Sequence, residues 1–169
     1  MWVEAATPEL IRRVAGTMRE SDLRELFALS WNDTPAELTA ALVDRYAPAG
    51  LAVGAGSEPI AIGAVVQHRP RVLTLGLFAT NAFGTIAAPL SRFVKRQLLA
   101  PAIADGAHRI EAASWALHTA AHRWIEFLGL RREAVCQKFG KHGEDFIQFA
   151  WVKDNVCATR VRDRPACRH

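Results

Sequence analysis

The stretch Leu51–Ala79 constrains the fold more than any other part of the chain. It is rich in Val, Ile and Leu, and it is interrupted at Gly56-Ser57-Glu58-Pro59 and again at His68-Arg69-Pro70-Arg71. Short aliphatic runs bounded by glycine and proline turn signals read as three successive strands joined by tight turns. Strands joined so closely pair antiparallel, and a sheet built from them needs helices to cover its apolar face.

The flanking sequence supplies those helices. Thr7-Pro8-Glu9 has the form of an N-cap followed by proline in the first turn, with Leu10, Ile11 and Val14 at helical spacing after it. Ser21 is the expected cap of a second helix carrying Leu23, Leu26 and Phe27. Thr34-Pro35-Ala36-Glu37 forms a capping box for a third, which runs through Leu38, Ala41, Leu42 and Tyr46 until Pro48 and Gly50 end it. Downstream, the loop Thr80–Thr85 leads into a helix whose Ile86, Leu90, Phe93, Val94 and Leu98 share a face. Arg109–Trp115 then reads as a strand, and His118–Leu128 as a helix stopped by Gly129. Arg132–Phe139 and Phe146–Val152 read as a hairpin around Gly140-Lys141-His142-Gly143. The expected order is β-α-α-α-β-β-β-α-β-α-β-β, a mixed α/β class with a central, largely antiparallel sheet flanked by helices, over residues 1–152. Trp124, Phe146, Phe149 and Trp151 are expected in its core.

Residues 153–169 are expected to form a basic C-terminal tail. From Trp151 to His169 there are five basic residues against two acidic ones, so this end holds most of the chain's formal +4 charge. The segment has few apolar residues and no periodicity, which predicts disorder when isolated. Half of the 169 residues are apolar, enough for one sizeable core. No apolar run reaches the roughly 18 residues of a membrane span, and the first residues do not resemble a secretion signal. Cys136, Cys157 and Cys167 form no C-x-x-C pair, which points to a reducing compartment rather than a disulfide scaffold.

Three fragments carry a resemblance: Met18-Arg19-Glu20-Ser21-Asp22-Leu23-Arg24-Glu25-Leu26, Pro59-Ile60-Ala61-Ile62-Gly63, and His122-Arg123-Trp124-Ile125-Glu126-Phe127-Leu128-Gly129-Leu130. In this order, and with this succession of elements, the chain resembles the GNAT superfamily of acyl-CoA-dependent N-acetyltransferases, and within it the GNAT-like proteins of tailed bacteriophages, of the internal virion protein A type. The resemblance implies a pyrophosphate-binding loop of the form [QR]-x-x-G-x-[GA] before a helix, where backbone amides favour anions. The matching stretch here is Asn81-Ala82-Phe83-Gly84-Thr85-Ile86, with asparagine for the cation or amide and Ile86 at the small position. Two readings stand: Asn81, Gly84 and Thr85 cradle phosphates, or the stretch is an ordinary strand-to-helix loop.

The resemblance also implies a tyrosine acid before the final glycine and a carboxylate base on the strand Val72–Ala79. Alignment on Gly129 places Ile125 at the tyrosine position, and the strand has no carboxylate; Tyr46, the single tyrosine, is distant in sequence. Glu111 is the remaining carboxylate candidate, weighed against an outward-facing strand glutamate. His118, His122 and Glu126 recur every four residues, a spacing that can present metal ligands, but Thr119 stands where H-E-x-x-H needs glutamate, so a core or surface histidine pair is expected ahead of a solvated helix face, and no metal. Arg92, Lys95 and Arg96 form a basic helix face suited to phosphates, nucleic acid or solvent.

The resulting expectation is a virion-associated structural or adaptor protein with a degenerate acyl-CoA site and no cofactor. It would contact other virion core, neck or tail proteins through its basic tail, and would reside in the virion and, during assembly, in the host cytoplasm. The alternatives are an active N-acetyltransferase binding acetyl-CoA at Asn81, Gly84 and Thr85, and a nucleic-acid-associated protein working through the tail and the basic face.

Overall fold

The computed structural model describes residues 1–153, and these form a seven-stranded sheet with helices on both faces. The tail beyond Lys153, and the contacts expected of it, lie outside the described residues. The strands are β1 (Trp2–Ala5), β2 (Leu51–Ala55), β3 (Glu58–Arg69), β4 (Val72–Ala79), β5 (Arg109–Trp115), β6 (Arg131–Cys136) and β7 (Phe146–Val152). Their spatial order is β1-β2-β3-β4-β5-β7-β6. Only β4 and β5 pair parallel; every other neighbouring pair is antiparallel. The expected mixed α/β class and largely antiparallel sheet are therefore what the chain forms.

Helices α1 (Pro8–Gly16) and α3 (Pro35–Tyr46) cover one face, each opened by the expected cap: Thr7 Oγ1 accepts from the Leu10 amide, and Thr34 and Glu37 form the capping box. Ile11, Val14, Leu38 and Leu42 from these helices pack on Ile62 and Phe78 of the sheet, and each aliphatic side chain so buried contributes about 1.5–3 kcal/mol. The opposite face carries α4 (Ala87–Phe93), α5 (Ala100–Ala104) and α6 (Thr119–Leu128), whose Leu90, Ile125 and Leu128 pack against Ile110, Ala112 and Phe149.

Local differences from the sequence reading have physical causes. Helix α2 (Glu20–Ala28) starts before Ser21, with Arg19 at its N-cap and no side-chain cap. Between α4 and α5 the chain runs through a π-helical stretch, Val94–Leu99, so the buried positions go Ile86, Leu90, Val94, then Leu99 rather than Leu98. Pro101 has no amide to bond the carbonyl of Gln97, and the Ala100 amide reaches Lys95 instead, which widens the turn. The hairpin strand ends at Cys136 rather than Phe139. The loop beyond it folds back to α2, where the Lys141 amide donates to Ala28 O at 2.9 Å. Phe146 and Phe149 are fully buried, while Trp124 and Trp151 are partly buried against the same core.

Candidate active site

The parallel pair β4·β5 holds together for three positions only, Val72 with Arg109, Leu73 with Ile110 and Thr74 with Glu111. Beyond Thr74 the two strands diverge. The fork between them opens into a cleft of about 560 Å³, walled by Leu75, Gly76 and Leu77 of β4, Ala112, Ala113 and Ser114 of β5, and side chains from both faces of the sheet.

A strand turns the N–H and C=O of alternate residues to opposite neighbours. Ala79 points away from β3: its amide donates to Asp22 Oδ2 at 2.7 Å, and its carbonyl accepts from the Arg19 amide at 2.9 Å. The pairing of β4 with β3 is regular from Thr74 to Ala79, so Leu75 and Leu77 direct their backbone groups into the gap as well. An unpaired strand edge inside a protein needs a partner. Here it faces an open cleft.

The mouth of the fork is spanned by α2. Arg19, Asp22 and Glu25 recur every three residues along it, and Asp22, only 3% exposed, is more buried than the apolar Leu23, Leu26 and Phe27 of the same helix. Asp22 accepts from Arg19 Nε and Nη2 as well as from the Ala79 amide, which ties α2 to the end of β4. Glu25 ties α2 to β5: its Oε2 accepts from Ser114 Oγ at 2.8 Å and from the Trp115 amide at 3.0 Å. The same oxygen accepts from His118 Nδ1 at 3.0 Å, which fixes the proton on that nitrogen. His118 Nε2 lies 3.3 Å from Asp22 Oδ1 without hydrogen-bond alignment, and it is the one buried side-chain polar atom among the described residues that lacks a partner. Two carboxylates, an imidazole and a guanidinium thus meet at the cleft mouth.

The histidines form a core pair and not a solvated face. His118 is the N-cap of α6 and buried, and His122 is buried too, donating Nε2–H to Trp115 O at 2.9 Å. Burial lowers the His122 pKa, favouring the neutral ring. Glu126 points elsewhere, pairing with Arg132 on the surface.

Glu111 sits at the closed end of the fork, outside the residues lining the cleft. It is bonded by Arg69 through Oε1 and by Arg109 through Oε2, and Arg109 also pairs with Glu133. Burial works against ionisation of Glu111, but the hydrogen bond from Arg109 and the charges of both arginines hold the carboxyl below its ordinary range. Glu111 fastens the strands below the point where they part.

Asn81, Gly84 and Thr85 lie in a 3₁₀ turn (Asn81–Thr85) begun by Thr80, whose hydroxyl accepts from the Ala82 amide. All three are exposed, beside Phe83 and Leu90, which line the cleft. Ile86, the bulky departure from the glycine motif, turns into the core at 1% exposure, and space beside Gly84 is open. The loop surface is therefore not blocked by Ile86. Arg92 and Arg96 are exposed on the following helix and form no ion pair among the described residues, while Lys95 Nζ sits 4.4 Å over the Phe127 ring.

Many solved structures share this fold. An acetyltransferase of the GNAT family from Bacillus anthracis superposes with a TM-score of 0.64 at 15% identity, over 89% of this chain and 93% of that one. The fold is the GNAT acetyltransferase fold. Ribosomal-protein-alanine N-acetyltransferase from Brucella melitensis gives 0.62 at 13% identity, over 90% and 99% of the two chains. Phosphinothricin acetyltransferase from Sinorhizobium meliloti, solved with its bound acetyl-CoA, gives 0.63 at 15% identity, over 92% and 90%. No family model matches the sequence, and no curated protein does. At these identities the likeness speaks to fold, and function rests on the site.

In the sequence, Arg19, Asp22 and Glu25 stand out only as part of the fragment that carries the resemblance. The available signal was their three-residue spacing, which places all three along one side of a helix.

Proposed function

We propose that this chain is an acyl-CoA-dependent N-acyltransferase with acetyl-CoA as donor and a primary amine as acceptor. The observation that carries the reading is the open fork, an apolar-walled cleft with the unpaired backbone groups of Leu75 and Leu77 along it and ionisable side chains at one end. These features fit a pantetheine arm, which is extended and carries amides able to bond a strand edge. Leu75 and Leu77 would hold that arm, Asn81, Gly84 and Thr85 would meet the pyrophosphate, and Arg92 and Arg96 would supply the positive field for the remaining phosphate. When bound, the donor supplies an acyl thioester with an electrophilic carbonyl carbon.

The chain's own residues do the rest. The walls exclude water, the fork orients the donor, and the carboxylates at the mouth attract a cationic amine. The virion-adaptor expectation rests on the phage resemblance, on the unmatched tyrosine and base positions and on the tail outside the described residues; the open cleft supports the enzyme reading.

Titration calorimetry with acetyl-CoA on the full chain tests the proposal. Binding is expected in the micromolar-to-millimolar range usual for enzyme substrates. Thiol release should then quicken with an alanine-initiated peptide or phosphinothricin, the acceptor types named for two of the structural neighbours. Folded protein that gives no heat up to millimolar acetyl-CoA contradicts it.

A further inference from the structure

Two side chains face the cleft with a polar atom left unbonded. Glu25 carries all three of its hydrogen bonds on Oε2 and none on Oε1. Among the described residues the only unpartnered buried side-chain polar atom is His118 Nε2, so Glu25 Oε1 is open to the cleft that Glu25 lines. Tyr46, from the last turn of α3, is 5% exposed, packs edge-on against Phe78, and likewise lines the cleft. Its hydroxyl bonds no described residue and lies over β4 at Gly76, where an added Cβ would come within 2.8 Å of it. That glycine leaves room for the hydroxyl beside the strand edge on which the donor would lie.

Resting on the acyltransferase reading above, the geometry points to Glu25 as the proton acceptor for the amine and Tyr46 as the proton donor to the departing thiolate. The ammonium first releases one proton to solvent, the neutral amine nitrogen then forms a bond to the acyl carbon, and the carbon–sulfur bond breaks, its electron pair leaving on sulfur. The amine proton passes to Glu25 Oε1, the thiolate takes the Tyr46 proton, and exchange with solvent returns both groups to their starting states. Acid and base thus come from α3 and α2, in place of the empty Ile125 position and the carboxylate-free strand β4.

The groups around the pair are consistent with these roles. Arg19 balances Asp22 on α2, His118 and Ser114 fix Glu25 from the β5–α6 side, and Arg45 and His68 also line the cleft. Burial raises the Tyr46 pKa; Arg45 lowers it and the Glu25 carboxylate raises it. The phenol therefore keeps its proton at neutral pH, as a donor must.

Because the chain has a single tyrosine, tyrosinate absorbance during an alkaline titration reads Tyr46 alone. The midpoint is expected above the ordinary tyrosine value of about 10, and Glu25→Gln should shift it down, with circular dichroism confirming that both proteins remain folded. Glu25→Gln and Tyr46→Phe should each lower thiol release from acetyl-CoA, with the alanine-initiated peptide or water as acceptor, by about a hundredfold or more. Both should keep calorimetric affinity for acetyl-CoA close to that of the wild type. A midpoint unmoved by Glu25→Gln overturns the inference, as does either variant retaining the wild-type rate. Wild-type protein that fails to bind acetyl-CoA overturns the acyltransferase reading itself, and the titration still decides whether the two groups face each other.

Discussion

Replacing Asp22 by alanine is expected to destabilise the protein by about 3–5 kcal/mol, the cost of removing one partner from a buried ion pair. The change strips the Arg19 guanidinium of its partner, leaves the Ala79 amide without an acceptor, and detaches α2 from β4. Equilibrium unfolding in urea reads this directly, and a cost below about 1 kcal/mol would mean that α2 is held at the fork by other contacts. Desolvation raises the Asp22 pKa above its ordinary 3.8, while Arg19, the Ala79 amide and His118 pull it down. A group whose folded pKa exceeds its unfolded one favours the native state when protonated. That contribution is complete below the ordinary value and is lost as pH rises through the raised one. Asp22→Asn should therefore lose less stability than the wild type as pH climbs from about 4 towards neutrality.

The second large effect belongs to the fork. Ala113 lies on β5 where it has parted from β4, and it lines the cleft. Ala113→Trp fills space that the donor needs. Crowding the donor against the added ring costs about 1–3 kcal/mol, which corresponds to about fivefold to 150-fold weaker acetyl-CoA binding. The melting temperature should change little, because the added side chain enters the cleft and not the core. Unchanged affinity in Ala113→Trp would place the donor elsewhere on the molecule.

These two effects depend on features that differ in how far the sequence reveals them. The strands of Leu51–Ala79, the strand Arg109–Trp115 and the α6 stop at Gly129 are written in local turn chemistry and periodicity, which act over a few residues. The fork is not local. It arises because β4 and β5 pair over Val72–Thr74 and then part, and no residue of either strand announces the divergence. Asp22 reads as the polar face of an amphipathic helix, and only the docking of α2 across the fork reverses that face, burying Asp22 while Leu29 and Trp31 just beyond the helix stay exposed. Tyr46 ends α3, an element apart from those that carry Gly76 and Glu25, so its approach to Gly76 is a property of the tertiary fold alone. The register slip at Val94–Leu99 is half legible, since Pro101 marks where the bonding must change but not which residue takes up the extra turn.

The measurement that tests the central claim most directly is an amide NMR titration of the full chain with acetyl-CoA. Binding in the fork predicts saturable shifts centred on the Leu75 and Leu77 amides, extending to Gly84, Thr85 and the α6 residues that line the cleft, with β1 and β6 unmoved. Shifts confined to other surfaces, or none up to millimolar acetyl-CoA, would contradict it.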